Sequence, residues 1–310
     1  MVFEHDLDMI MLGIAQSIVA RKAYLARERL VKAFQDFYRG GPPDDLHPMM
    51  RARYEEGIRF GLSPDEIARW DVTLLFGIVE NTAPAAFYLM VRIYDTPGLL
   101  EEIRTELQSA LHAFAPDHTP AEPLPYAYLS NLNKTCPLLM STSDETLRCQ
   151  SFGTSVRQIL DDTWLNDKQG SYLVKKGNII LMPNAVLHSN ANAFSEPDVF
   201  NPRRFMSEGS KPAELRPWGG GSSICPGRFF AVAETLAMAA MLVLAFDLEC
   251  LGPDGKPTKW YVPENYQSSS SAAVFPPKKD LKARIVPKDG WKVGVRFEGD
   301  GPLQSSAVVV

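Results

Sequence analysis

The stretch Trp218-Gly219-Gly220-Gly221-Ser222-Ser223-Ile224-Cys225-Pro226-Gly227-Arg228 joins a glycine turn to an apolar run that continues to Phe246. Three successive glycines let the backbone come close to something flat or bulky. Cys225 follows, then Pro226-Gly227, then the start of a helix. At a helix N-terminus a thiolate faces unpaired N–H groups and the positive end of the dipole. A thiolate beside a glycine-lined surface is what a haem iron ligand requires. On the turn alone, a free cysteine at the head of a core helix reads equally well. A phosphate loop reads poorly, because no Gly-Lys-Ser/Thr follows.

Composition sets the frame for this turn. The 310 residues are 45% hydrophobic and 22% charged, the balance of a globular chain able to bury a large core. A net charge of −5 offers no basic footprint for nucleic acid. Cys136, Cys149, Cys225 and Cys250 are irregularly spaced, with no CxxC pair, zinc pattern or disulfide framework. A reducing compartment follows, which leaves Cys225 free as a ligand. No segment reads cleanly as a membrane span. Met9 to Ala20 is too short, holds Gln16 and Ser17, and lacks the cationic start of a secretory signal. Phe229 to Phe246 is interrupted by Glu234 and Thr235 and followed by Asp247 and Glu249, so it reads as a buried core helix.

Upstream of the turn the pattern is helical. The first forty residues read as helix, broken by Gly40-Gly41-Pro42-Pro43, and a second helix covers Pro48 to Phe60. A third carries a full start signal: Ser63 as N-cap, Pro64 at the first position and Glu66 closing a capping box. It continues to about Tyr94, roughly 45 Å, and Pro97-Gly98 ends it. Leu99 to Phe114 is amphipathic, Pro116 to Pro125 is a connection, and Glu145 to Arg148 is helical. From Phe152 to Leu181 the signal changes to short strands with a Lys176-Gly177-Asn178 turn. Pro197 to Phe205 reads as loop, and Trp260 to Val295 as short strands. The fold class is mainly α with small β-sheets (α+β), helical over residues 1–150 and β-containing over 151–297. Residues 298–310 read as a flexible tail.

The long helix contains Gly77-Ile78-Val79-Glu80-Asn81-Thr82-Ala83-Pro84. Pro84 has no N–H for the Glu80 carbonyl and crowds it, so the helix is expected to open or kink near Glu80 to Thr82. A Thr82 hydroxyl bonded back to the Ile78 carbonyl would widen the opening. A polar notch in a core-crossing helix is costly unless something uses it.

Taken in order, these motifs resemble the cytochrome P-450 family. Its ligand pattern, Phe-x-x-Gly-x-Arg/His-x-Cys-x-Gly, meets Trp218, Gly221, Ser223, Cys225 and Gly227 here. Trp218 keeps an aromatic next to the sulfur. Ser223 replaces the basic residue that pairs with a haem propionate in the family. The family's Glu-x-x-Arg meets Glu145-Thr146-Leu147-Arg148, on one helix face. The resemblance implies that Arg204 completes a buried ion network with Glu145 and Arg148, anchoring the thiolate loop. It also implies that Arg157 binds a propionate, while His188 is left a packing role. In the family's Ala/Gly-Gly-x-Asp/Glu-Thr pattern, Asn81 takes the acid's place before Thr82, where oxygen and a relay water sit.

The Asn-Thr-x-Pro variant, with Ile224-Cys225-Pro226-Gly227-Arg228, is similar to the branch of sterol 7α- and 12α-hydroxylases and prostacyclin synthase. The resemblance implies haem b (iron protoporphyrin IX) with Cys225 as axial ligand, and Thr82 and Asn81 in proton delivery. It further implies a lipophilic substrate such as a sterol, terpenoid or other secondary metabolite. Phe76, Ile78, Ala83 and Phe152 would supply apolar lining. The partner would be an NADPH-cytochrome P-450 reductase, at the cytosolic face of the endoplasmic reticulum membrane, with membrane association in the full-length protein. A haem-thiolate isomerase acting on a peroxide without O2 is the first rival. The second is a truncated, non-catalytic fragment, because family domains extend further on the N-terminal side and the chain carries no transmembrane anchor by this reading.

Overall fold

A computed structural model describes residues 10, 13, 15–207, 209–266 and 272–296. The expectations for residues 1–9 and for the 298–310 tail lie outside these. The helices are α1 (Gln16–Val19), α2 (Arg21–Phe37), α3 (Pro48–Arg59), α4 (Pro64–Asp95), α5 (Leu99–Phe114), α6 (Tyr126–Leu129), α7 (Leu132–Thr135), α8 (Pro137–Gln150), α9 (Asn184–His188) and α10 (Arg228–Ala245). The strands are β1 (Leu124–Pro125), β2 (Thr154–Gln158), β3 (Thr163–Asn166), β4 (Ser171–Val174), β5 (Ile179–Pro183), β6 (Phe246–Leu251), β7 (Lys282–Pro287) and β8 (Val295–Arg296). Among the described residues helix dominates and every sheet has two strands, consistent with an α+β chain with small sheets.

The described residues divide into two compact units. One holds residues through Asn81 together with 266 and 272, and the other holds 82–265 and 273–296. The division falls inside α4, whereas composition suggested a helical part ending near residue 150. In the first unit Tyr38, Tyr54, Ile67 and Ala68 form a core with Phe34, Leu46 and Leu62 packed on it. Asp71 is buried there. It accepts from the Tyr38 hydroxyl at 2.6 Å and from Arg53 Nε at 2.7 Å, so its charge is compensated. The capping box forms as expected: the Glu66 N–H donates to Ser63 Oγ at 3.3 Å and the Ser63 N–H to Glu66 Oε2 at 2.8 Å. The helix expected over the first forty residues is interrupted. Ala20 leaves helical geometry (φ −124°, ψ 39°) between α1 and α2, and it is buried with Ala23 against Ile10.

α4 is continuous over 32 residues with Pro84 inside it. The expected opening does not interrupt the helix. Among the described residues the Thr82 hydroxyl makes no hydrogen bond, so the bond back to Ile78 is not formed.

In the second unit α10 buries Leu236, Ala239, Ala240, Val243 and Leu244, a stripe at helical spacing. It packs with Leu89 and Ile93 of α4, Ile103 and Leu107 of α5, and Leu132 and Leu139. α4 and α10 are long and apolar enough to cross a membrane by length and composition alone. The buried stripe on α10 accounts for its apolar character as a core helix. α8 is longer than its Glu145–Arg148 signal, because Ser141 to Arg148 are all buried and polar residues mask its periodicity. β2 pairs antiparallel with β5, placing Arg157 opposite Ile180. β1 and β8 pair in parallel. We expect Leu236→Ala to lower stability by about 2–5 kcal/mol, measured as the shift of the urea unfolding midpoint at constant slope.

Candidate functional site

The glycine turn is built by its own backbone. Gly219 and Gly221 have φ of 77° and 63°, left-handed values that glycine takes without strain. Gly220 is extended, and Gly221–Ser223 form one 3-10 turn. The Cys225 N–H donates to the Trp218 carbonyl at 2.9 Å, closing the loop. Arg228, the first residue of α10, donates through its guanidinium to the Cys225 carbonyl at 2.9 Å. The Cys225 thiol is free and half-buried. A Cβ on Gly227 would lie at ordinary contact, 3.8 Å, from the Cys225 sulfur.

Behind the turn lies the ion network. Glu145 is fully buried. Arg148 donates Nε to its Oε2 at 2.8 Å and NH2 to its Oε1 at 2.9 Å. Arg204 donates Nε to Oε2 at 3.0 Å. The Asn201 N–H donates to Oε1 at 3.0 Å, a contact no sequence motif announced. Arg204 also donates to the carbonyls of Ser195, Glu196 and Val199. Glu196 turns into the left-handed region (φ 47°) in this loop. The expected trio of Glu145, Arg148 and Arg204 is therefore assembled, and nearly every donor around the carboxylate is used.

His188 does more than pack. Arg216 donates its backbone N–H to His188 Nε2 at 2.9 Å, so Nε2 is the acceptor and the ring proton sits on Nδ1. Nδ1 then donates to the Arg148 carbonyl at 3.0 Å. The His188 carbonyl accepts from Arg148 NH1 at 2.8 Å. One neutral imidazole thus ties the ion-network helix to the residue that opens the glycine turn. Burial pushes its pKa down to about 4, although the Arg148 carbonyl pulls the other way. Asn184 completes the clamp by donating to the Arg216 carbonyl at 3.0 Å. The sequence shows the histidine in Leu187-His188-Ser189, but only the fold shows what it bonds.

Arg157 projects from β2 to the turn, where NH2 reaches the Gly220 carbonyl at 3.4 Å. Trp218 packs on a cluster of Ala85, Tyr88, Leu147 and Val274. Ala85 lies one turn beyond Thr82 on α4, on the same face, so the half of α4 that begins at Thr82 is seated against the turn. Asn81 falls on the other side of the division between the compact units. Phe152, expected to line a substrate site, stacks on Phe275 with ring centroids 5.4 Å apart.

The cytochrome P450 family model matches residues 16–267, and the chain belongs to the cytochrome P450 family. It is 30% identical to cytochrome P450 monooxygenase nodJ of Hypoxylon pulicicidum, over 94% of this chain and 57% of that protein. It is 29% identical to the human 7-alpha-hydroxycholest-4-en-3-one 12-alpha-hydroxylase, over 67% of this chain and 43% of the relative. It is 28% identical to the rat 25-hydroxycholesterol 7-alpha-hydroxylase, over 64% of this chain and 50% of the relative. A solved cytochrome P450 structure superposes with a TM-score of 0.69 at 22% identity, covering 93% of this chain and 60% of that one, which establishes the fold. The chain spans a little over half the length of the first of these relatives.

The family implies a haem iron, and the residues at the turn suit it. The single free thiol of Cys225 suits a metal that carries its own further ligands, as the iron of a porphyrin does.

Two outcomes test the scaffold. Glu145→Gln strips the charge shared by two guanidinium groups, and its expected cost is about 3–5 kcal/mol, read by denaturant unfolding. His188 takes its proton near pH 6.5 when unfolded but only near 4 in the fold. Its contribution is present above pH 6.5 and is lost as the pH falls toward 4, on the order of 3 kcal/mol in all. Unfolding titrations at stepped pH should show that loss in the natural chain, and a His188→Asn chain should lack this part of the pH dependence.

Proposed function

We propose that the protein is a haem-thiolate monooxygenase that hydroxylates a lipophilic molecule, of which a sterol or terpenoid is the leading class. The observation that carries this reading is the free, half-buried Cys225 thiol on a turn pinned at both ends. Support for oxygen insertion, rather than peroxide isomerisation, comes from relatives named as monooxygenases and sterol hydroxylases. The overall change takes dioxygen, two electrons and two protons; one oxygen atom enters a substrate C–H bond and the other leaves as water. An NADPH-dependent reductase supplies the electrons, at the endoplasmic reticulum membrane.

The haem, when bound, supplies the iron at which dioxygen is reduced and split. The chain's own residues do the rest. Cys225 would hold the haem iron, and its thiolate would donate electron density toward it. The unbonded Thr82 hydroxyl is available to pass protons, with Asn81 as its neighbour in the relay. Glu145, Arg148 and Arg204 hold the surrounding loop rigid. Trp218 ties the turn to α4 through Ala85 and Tyr88. A ligand held on a rigid turn keeps its geometry through the cycle, which preorganisation of this kind favours.

Cys225→Ala tests the assignment directly. In the full-length protein produced with a haem precursor, the reduced carbon monoxide spectrum should show a thiolate band that the variant lacks entirely. A band that survives the substitution would refute Cys225 as ligand.

A further inference from the structure

We propose that Arg216, together with Arg157, seats a carboxylate of the cofactor, supplying the cation that Ser223 leaves out. The inference rests on the haem reading above and assigns a role to a residue outside every recognised motif of the chain.

Arg216 is the most firmly held residue next to the turn. Its N–H is taken by His188 Nε2 at 2.9 Å, and its carbonyl accepts from Asn184 Nδ2 at 3.0 Å and from the Gly219 N–H at 3.1 Å. The side chain is aimed by Nε, which donates to the Ala213 carbonyl at 2.9 Å. Its guanidinium then lies against the turn: a Cβ on Gly220 would stand 3.2 Å from Arg216 NH1. Gly220 is extended, so space and not backbone conformation favours glycine there. Arg157 reaches the same residue from β2, with NH2 3.4 Å from the Gly220 carbonyl.

Two guanidinium groups therefore meet at one peptide. Among the described residues neither is paired with a carboxylate, whereas Arg148, Arg203 and Arg204 all are. NH1 and NH2 of Arg216 have no hydrogen-bond acceptor there. Two half-buried like charges with unused forked donors raise the energy of the turn until an anion arrives. The planar fork fits a carboxylate in two-point contact. A turn that offers a soft sulfur at Cys225 and two cations at Gly220 suits a ligand that joins a thiophilic metal to carboxylates, and haem has both.

The test is release of the cofactor from the full-length, loaded protein to excess apomyoglobin, run with haem and with haem dimethyl ester, whose carboxylates are masked. Arg216→Gln should release haem about tenfold faster, as expected for one lost charge-assisted contact. Arg216→Lys, which keeps the charge but loses the two-point fork, should release haem at a rate between those of the natural protein and Arg216→Gln, and all three proteins should release the ester alike. Gly220→Ala is the second variant: it leaves the backbone bonds of Arg216 intact while crowding its guanidinium, and should speed haem release but not ester release. Unchanged haem release in Arg216→Gln, or equal acceleration for haem and ester, would overturn the role of Arg216. The carbon monoxide spectrum of the same natural sample separates the two levels. A missing thiolate band overturns the haem-thiolate reading and this inference with it, whereas a present band with an unresponsive Arg216→Gln overturns Arg216 alone.

Discussion

A carboxylate with no solvent exposure must be compensated by donors or it will not stay charged, and Glu145 shows how much structure such a requirement organises. Its two oxygens take Arg148 twice, Arg204 once and the Asn201 N–H once. Each donor brings a different piece of chain: α8 itself, the turn at residues 201–205, and the loop carbonyls that Arg204 holds in addition. Removing any partner would leave a buried charge uncompensated, so the loop has little freedom to adopt another path.

The effect reaches the turn through His188. The imidazole accepts from Arg216 and donates to the Arg148 carbonyl, while its own carbonyl takes Arg148 NH1. Burial keeps the ring neutral, and only a neutral ring can accept on one side and donate on the other. Arg216 is thereby located, Gly219 bonds to its carbonyl, and the backbone of Cys225 closes on Trp218. The thiol sits at the end of a chain of hydrogen bonds that begins at a buried carboxylate. Trp218 adds the connection to α4 through Ala85 and Tyr88. This is rigidity placed behind Cys225, while the thiol itself is left free.

Much of this was legible in the residues, and for local reasons. The capping box at Ser63 and Glu66 forms because its geometry depends on four consecutive positions. The left-handed glycines mark the turn because other residues are strained there. Glu145 and Arg148 share a helix face at any site on any helix. Other features were not legible for equally physical causes. Pro84 predicts an opening or a kink in α4, and the helix runs through it without a break. α8 was seen only in part, since buried Ser and Thr residues imitate a polar surface. The parallel pairing of β1 with β8 joins residues far apart in the chain, and two-residue strands carry no periodicity to detect.

The sequence by itself determined the class of the protein. An ordered set of residues around Cys225, each defined by spacing along the chain, is sufficient to mark the glycine-cysteine turn and the ion network. Tertiary structure alone decided what holds that turn in place. The bonds from His188 to Arg148 and Arg216, the clamp from Asn184, and the approach of Arg157 and Arg216 to Gly220 all join segments with no fixed separation in sequence. A hydrogen bond or a charge pair depends on distance in space, and that distance exists only once the core has brought the segments together.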